Sequence, residues 1–328
     1  MGRTHATLLS GSLAALALGL AAASVPAQAQ TAGEKWANRP IELIVPWTAG
    51  GGVDIVARAM AQAMSGDLGQ NVFVTNREGA GGTLGFRALL AATPDGHVLA
   101  GGPATPVTNA PYLVKGVSYD PESFEYICQY FENVFALVVR ADSPYATAKD
   151  LIAAAKSAPA PLTYGSPGVG SIGHLSAENA AAALAMKVQH VPFRGDAAGL
   201  PVLLKGDIDF LVPAISSVRG QNVRVLAVFS EERHPSLPDV PTAKELGVAR
   251  SLSQGLNGLF APKGIPAPVK ESLEKACAAA VKSEPVAAAL KNTGQVAAYL
   301  DSAAFRARIL DDYKLKGELI RRLGLEDK

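Results

Sequence analysis

The sequence predicts an α/β protein whose sheets are mostly parallel and flanked by helices. Three observations carry that expectation. A β-branched or apolar run, a small-residue loop and a helical apolar repeat follow one another at 41–63, at 71–89 and at 162–186. Two long β-prone segments, Phe124 to Val139 and Gly255 to Pro262, are read as crossings from one domain to another and back. From Pro266 onward the apolar spacing is helical.

In chain order, Ile41 to Val45 is the first strand and stops at Pro46, and the triplet Gly50-Gly51-Gly52 leads to Asp54, placed as the N-cap of a helix bearing Ile55, Val56, Met60 and Ala63. Asn71 to Thr75 is a second strand, and the loop Asn76 to Gly82 opens a helix at Thr83. Thr93-Pro94-Asp95-Gly96 turns the chain into a short strand, Val98 to Ala100, which runs into the small-residue loop Gly101 to Pro106. After the first crossing, Ala148 to Lys156 is a helix capped near Thr147. Leu162 to Tyr164 then starts another strand, loop and helix, with Ser171 as the cap of a helix to about Met186.

His190 to Asp196 is a strand ending in a turn, and the helix Ala197 to Leu204 closes at Lys205-Gly206. Ile208 to Val212 and Arg224 to Phe229 are strands. Pro213 to Ser217 places hydroxyls after the first of them, and Thr242 and Glu245 have capping-box spacing. Helices over Pro266 to Lys282, Glu284 to Asn292 and Ser302 to Leu323 complete the chain, with no sustained heptad.

The N-terminus carries Arg3, an apolar run from Leu13 to Ala23 and Ala27-Gln28-Ala29, the pattern of a signal peptide over 1–29 cleaved after Ala29. The apolar run is shorter than the ~20 residues a membrane span needs. No cysteine follows the cleavage site to take a lipid, so a free exported protein is expected. Removing this segment takes away Arg3 and leaves 29 basic side chains against 29 acidic ones. A balanced surface speaks against nucleic acid or another polyanion as partner.

The five histidines never fall at metal-ligand spacing, and no metal or cofactor is expected. Cys128 and Cys277 are the two cysteines; a chain of this length needs no disulfide framework, and the expectation is buried apolar thiols rather than a bridge.

The candidate chemistry lies in the loops. The glycine triplet lets backbone approach a ligand, and the helix start behind it offers N–H groups and a positive dipole end to a carboxylate or phosphate; a glycine turn needed only for packing is the competing reading. No Gly-Lys-Ser/Thr ends the run and the glycines are contiguous, so neither a P-loop nor a dinucleotide fingerprint is present. Gly165 to His174 repeats the arrangement. Ser166 lacks the Gly-x-Ser-x-Gly frame of a nucleophile elbow, because Tyr164 stands two residues before it. His174 is read as packing or hydrogen-bonding locally in the first turn. Asp54 is assigned chiefly to capping and to holding the glycine loop. Trp47 reads either as a flat apolar wall or as a packing residue. No lysine or arginine lies within Trp47 to Asp54 or Gly165 to His174; Arg194 is the nearest rival as a ligand cation, with Asp196 able to absorb its charge.

Six separated blocks, in order, resemble one family: Arg39-Pro40-Ile41 with Val45-Pro46-Trp47-Thr48-Ala49-Gly50-Gly51, Asp54 and Ala57-Arg58; Asn76 to Gly82; Pro94-Asp95-Gly96; Tyr164 to Gly168 with His174-Leu175; Val191 to Gly195; and Leu237 to Thr242. The likeness is to the solute receptors of tripartite tricarboxylate transporters, also called Bug proteins. Trp47-Thr48 departs from the usual pattern, and Gly101 to Thr105 is poorer in hydroxyls than in many relatives.

The resemblance implies a two-lobe clamshell of the periplasmic-binding-protein type, 30–133 with 254–328 forming one lobe and 134–253 the other. It implies a monomer that passes a small organic carboxylate to membrane permease subunits, or a sensor of the same fold acting on a signalling kinase; no motif supports an enzyme. The candidate ligand-binding residues are Trp47, Thr48, Ala49, Gly50, Gly51, Asp54 and Thr105 from one lobe. From the other come Ser166, Gly168, Val169, Gly170, Ser171, His174, Arg194 and Asp196.

Overall fold

The structure, a computed structural model, describes residues 36–248 and 255–326. The proposed signal peptide lies outside the described residues. The elements are β1 (Ile41–Val45), α1 (Gly52–Leu68), β2 (Val72–Asn76), α2 (Thr83–Leu90), β3 (Val98–Pro103), α3 (Thr105–Thr108), α4 (Ala110–Leu113), β4 (Phe124–Asn133), β5 (Ala136–Arg140), α5 (Ala148–Ser157), β6 (Leu162–Ser166), α6 (Ile172–Leu184) and β7 (Val188–Pro192). They continue with α7 (Asp196–Lys205), β8 (Phe210–Leu211), β9 (Val223–Val228), β10 (Gly255–Pro262), α8 (Ala267–Val281), α9 (Glu284–Thr293), β11 (Val296–Leu300) and α10 (Ser302–Arg322).

Two sheets organise the chain. The first runs β11-β4-β10-β3-β1-β2 and the second β7-β6-β8-β5-β9. Both are mixed, which corrects the expectation of mostly parallel sheets. The strand, loop and helix units pair in parallel, as β1 with β2 and β3 and as β6 with β7 and β8. The strands next to the crossings and at the far end pair antiparallel: β10 with β3 and β4, β11 with β4, and β5 with β8 and β9. A strand that leaves for the other sheet or returns from it is not bound by the crossover rule that keeps strand, helix, strand units parallel.

The β-prone run Phe124 to Val139 divides at Val134-Phe135, with β4 in the first sheet and β5 in the second. The segment Gly255 to Pro262, expected as the return crossing, is instead a strand lying wholly in the first sheet, so the change of sheet comes before Gly255. β11 has no counterpart in the sequence reading, because its short Ala-containing run carries little strand signal and it sits at an edge.

Local capping follows the sequence closely. Thr147 and Asp150 form a capping box on α5, Ser171 caps α6, and Gly206 ends α7 in the left-handed conformation. Thr242 and Glu245 exchange the two capping-box hydrogen bonds around a turn that does not continue into a helix.

One face of the first sheet buries Val56, Met60 and Met64 of α1 with Leu273 and Cys277 of α8. The other buries Phe86, Phe124, Tyr126, Phe260 and Phe305, whose rings meet largely edge to face. Cys128 and Cys277 are bonded as a disulfide across β4 and α8, in place of the separate thiols expected. Both are fully buried in one core, and the packing of α8 on β4 brings their Cα atoms to 6.6 Å over a separation of 149 residues.

Candidate functional site

A cavity of about 570 Å³ opens at the carboxyl ends of β1, β3 and β6. Trp47, Val53, Ala80, Gly81, Pro103, Thr105, Asn109, Ala110, Leu113 and Val114 wall it from the first sheet and its helices. Pro167 to Ile172 wall it from the second, and Asn133, Phe135 and Gly255 close its floor beside the crossings. Every one of these residues is uncharged. The polar side chains are Thr105, Asn109, Asn133 and Ser171, all neutral and able to donate a hydrogen bond. The first turns of α1 and α6 both reach the wall, through Val53 and Ile172, and the N–H groups of a first turn lack partners within their own helix.

The loop between β1 and α1 is braced by charge. Gly50 N–H donates to Asp54 Oδ2 at 2.8 Å, Arg58 Nε donates to the same oxygen at 2.9 Å, and Asn76 Nδ2 donates to Oδ1 at 2.8 Å. Asn76 also reaches the Trp47 carbonyl at 2.9 Å and accepts from Arg58 at 2.9 Å. Asp54 is 2% exposed. Burial alone would raise its carboxyl, but Arg58, the Gly50 N–H and the Asn76 amide hold it below its usual range.

Asp54 is therefore not the N-cap. Gly51 in extended conformation takes that position without a side-chain bond, the helix starts inside the glycine run at Gly52, and Asp54 reaches back to hold the loop. Thr48, Ala49, Gly50 and Gly51 are exposed and stand off the cavity, with Thr48 Oγ1 donating to Glu78 at 2.7 Å. Trp47 faces the cavity with its ring seated on Gly82. A Cβ there would come within 2.8 Å of the indole and equally close to Pro106, so only glycine admits the ring.

The loop between β6 and α6 is braced by neutral groups. Ser171 Oγ accepts from His174 N–H at 3.2 Å, and His174 Nδ1 accepts from Gly170 N–H at 3.0 Å. Ser166, fully buried, places Oγ 2.7 Å from His190 Nε2 and 3.1 Å from the Gly168 carbonyl. His174 and His190 stack with ring centroids 3.9 Å apart. Burial pushes both imidazoles down to about 4, His190 further aided by His174 beside it. Gly168, Val169, Gly170 and Ser171 line the cavity, while Ser166 and His174 stand behind them and set their backbone.

Arg194 is exposed and away from the cavity. Asp196 is the first residue of α7; burial raises its carboxyl, against hydrogen bonds from Ser217 at 2.7 Å and from Ala214 N–H at 3.1 Å, and these, not Arg194, are its partners. Of the sequence candidates, the cavity thus gathers Trp47, Thr105, Gly168, Val169, Gly170 and Ser171.

Sequence reasoning missed Val53, Asn109, Leu113, Asn133 and Phe135. One signal was available for Asn109 and Leu113. Thr105-Pro106 and Ala110-Pro111 each place a proline in a first helical turn, and α3 and α4 begin there.

Residues 56–325 match the family model described as the tripartite tricarboxylate transporter family receptor. The chain is 36% identical over 330 residues to a UPF0065 protein in the gbd 5′ region of Cupriavidus necator, covering 99% of each. Among solved structures, a TctC solute-binding protein from Polaromonas, with no ligand, is 33% identical at TM-score 0.79, over 88% of this chain and 100% of that one. MatC from Rhodopseudomonas palustris with bound malate is 27% identical at TM-score 0.69, over 87% of this chain and 100% of that one. With the match running across both sheets and the cavity between them, this chain belongs to the tripartite tricarboxylate transporter receptor family.

Proposed function

We propose that the chain is a periplasmic receptor that captures a small organic carboxylate between its lobes and delivers it to the membrane permease subunits of a tripartite tricarboxylate-type transporter. The observation that carries this reading is the charge-free cavity walled by the first turns of α1 and α6, one from each sheet. The backbone from Pro167 to Ile172 at the start of α6 and the neutral donors Thr105, Asn109, Asn133 and Ser171 hold an anion without a salt bridge and release it without breaking one, while the loop before α1 contributes the side chains of Trp47 and Val53. Malate bound to the related MatC supports the ligand class.

The lobes are taken as 30–133 with 254–328 and as 134–253, a division supported by the passage from β4 to β5 between sheets. Export follows from the signal-peptide pattern of 1–29, and no described helix is long and apolar enough to cross a membrane. The receptor acts as a monomer and binds without turning over its ligand. Ser166 and His190, the one serine and histidine in nucleophile-like contact near the site among the described residues, lie behind the loop and off the cavity wall.

The test is mass spectrometry of whatever small molecule stays bound through purification, followed by calorimetry on mono-, di- and tricarboxylates and their amides. Acids are expected to bind and the amides to fail; equal binding of the amides overturns the reading.

A further inference from the structure

We infer that Asn109 ties the two lobes beside the cavity, separately from the contact of Arg219 with the Lys291 and Asn292 carbonyls, and that Lys316, buried in α10, is the positioning residue that supports its orientation. This rests on the receptor reading for its effect on binding, but the tie itself is a property of the protein alone.

The observation is a chain of hydrogen bonds with a single allowed direction. Lys316 and Asp312, each 2% exposed, pair at 2.6 Å one helical turn apart on α10. Lys316 Nζ also reaches Thr108 Oγ1 at 3.2 Å. An ammonium has donors and no acceptor, so Thr108 Oγ1 must accept from it, and the hydroxyl proton must go elsewhere. It goes to Asn109 Oδ1 at 2.8 Å.

The Gly170 carbonyl can only accept, so the Asn109 amide turns its Nδ2 toward it at 3.0 Å and leaves Oδ1 to take the Thr108 proton that Lys316 displaces; the two ends of the chain agree on one direction. The oxygen and nitrogen of an asparagine amide are alike in shape, and only such a network decides which of them faces a given partner. Reversed, Asn109 would set its own oxygen against the Gly170 carbonyl. Asn109 belongs to the helices of the first sheet and Gly170 to the loop of the second, and both line the cavity.

The chain lies in a seam that keeps water away from it. Thr108 is fully buried and Asn109 is 5% exposed. Leu319 and Ile320 of α10 pack with Leu175 of α6 and with Leu113 of α4, so α10 touches both lobes at the place where the chain crosses. A hydrogen bond in such surroundings is stronger than in water, and reversing one member leaves buried groups unpaired.

The experiment measures lobe separation with no ligand present, by pulsed electron resonance between spin labels at Lys149→Cys and Lys275→Cys, both exposed sites. It compares the otherwise unchanged full-length mature protein with three further variants. Asn109→Asp keeps the shape but presents only acceptors to the Gly170 carbonyl. Thr108→Val removes the relay hydroxyl at nearly constant volume. Asp312→Leu with Lys316→Met removes the buried pair as a unit, because removing Lys316 alone would strand a buried carboxylate and endanger folding.

Each of the three is expected to broaden the distribution toward longer separations. An unchanged distribution for Asn109→Asp overturns the tie. Opening in Asn109→Asp with no change in both Thr108→Val and the paired variant overturns the part given to Lys316. Calorimetry with malate and adipate as probes should then show about tenfold weaker binding for Thr108→Val, which adds no charge to the cavity. If neither acid binds the unaltered protein, the receptor reading loses its support while the lobe separations still decide the tie.

Discussion

The loop between β1 and α1 and the loop between β6 and α6 both carry small residues from a strand into the first turn of a helix, yet they are held in opposite ways. Behind the first stand a buried carboxylate, a guanidinium and an amide, Asp54, Arg58 and Asn76. Behind the second stand the Ser166 hydroxyl and two neutral imidazoles, with Ser171 capping α6 from the wall itself. The first loop turns its glycines to solvent and offers the cavity only the side chains that flank them, Trp47 and Val53. The second lays its backbone along the wall from Pro167 to Ile172. A loop that presents backbone N–H groups to an anion cannot keep a carboxylate close behind it without opposing that anion. A loop that presents a ring can be pinned by one.

The largest effect expected from this contrast is at Gly170. Its φ is +72° and a Cβ would fall 2.3 Å from Leu113 Cδ1, so Gly170→Val strains the backbone and blocks the approach of the lobes. Affinity for the best acid in calorimetry should fall more than ~100-fold, about 2.7 kcal/mol. Binding that survives would mean that the second loop does not carry the ligand.

Acid should separate the two loops next. The free imidazole takes up its proton near 6.5, whereas His174 and His190 resist it down to about 4. Between those values the unfolded chain binds protons that the folded one refuses, so stability falls as pH drops from 6.5 toward 4. Asp54 works in a lower window. Its folded-state value lies below the ordinary 3.8, so its contribution is whole above that pH and disappears as pH falls through the depressed value. Urea midpoints measured against pH should show a smaller upper limb and an unchanged lower one in a His174→Asn, His190→Gln double variant, the remainder of the upper limb coming from His234, whose imidazole burial also lowers.

At neutral pH, Asp54→Asn should cost about 1–3 kcal/mol of stability, since the charged acceptor for Gly50 N–H and Arg58 is gone. Affinity should change less than tenfold. Unaltered stability with collapsed affinity would make Asp54 a direct ligand contact.

Trp47→Ala tests the ring that the first loop presents. Against a panel of acids it should weaken aromatic members by about tenfold, ~1.4 kcal/mol, more than aliphatic ones. An unchanged ranking would make the indole a packing residue beneath the loop. Arg194→Gln should do least. The side chain is exposed and off the cavity, and an affinity loss beyond tenfold would restore a salt-bridge mechanism.

From the residues alone, the strand, loop and helix units, the caps at Thr147 and Ser171 and the stop at Gly206 were legible, because each depends on neighbours a few positions away. The three C-terminal helices were legible for the same reason, as were the passage of the Phe124 to Val139 run from one sheet to the other and the lack of a lysine or arginine within Trp47 to Asp54 and Gly165 to His174. What required the tertiary structure was everything set by distant partners. The Cys128 to Cys277 bond, the antiparallel pairing of β4, β10 and β11, and the retreat of Thr48 to Gly51 from the cavity follow from how helices and sheets stack. So does the arrival of Asn109 opposite Gly170, where its amide donates to the Gly170 carbonyl across 61 residues of sequence. Local spacing encodes which way a side chain points from its own helix or strand; only packing decides what it meets there.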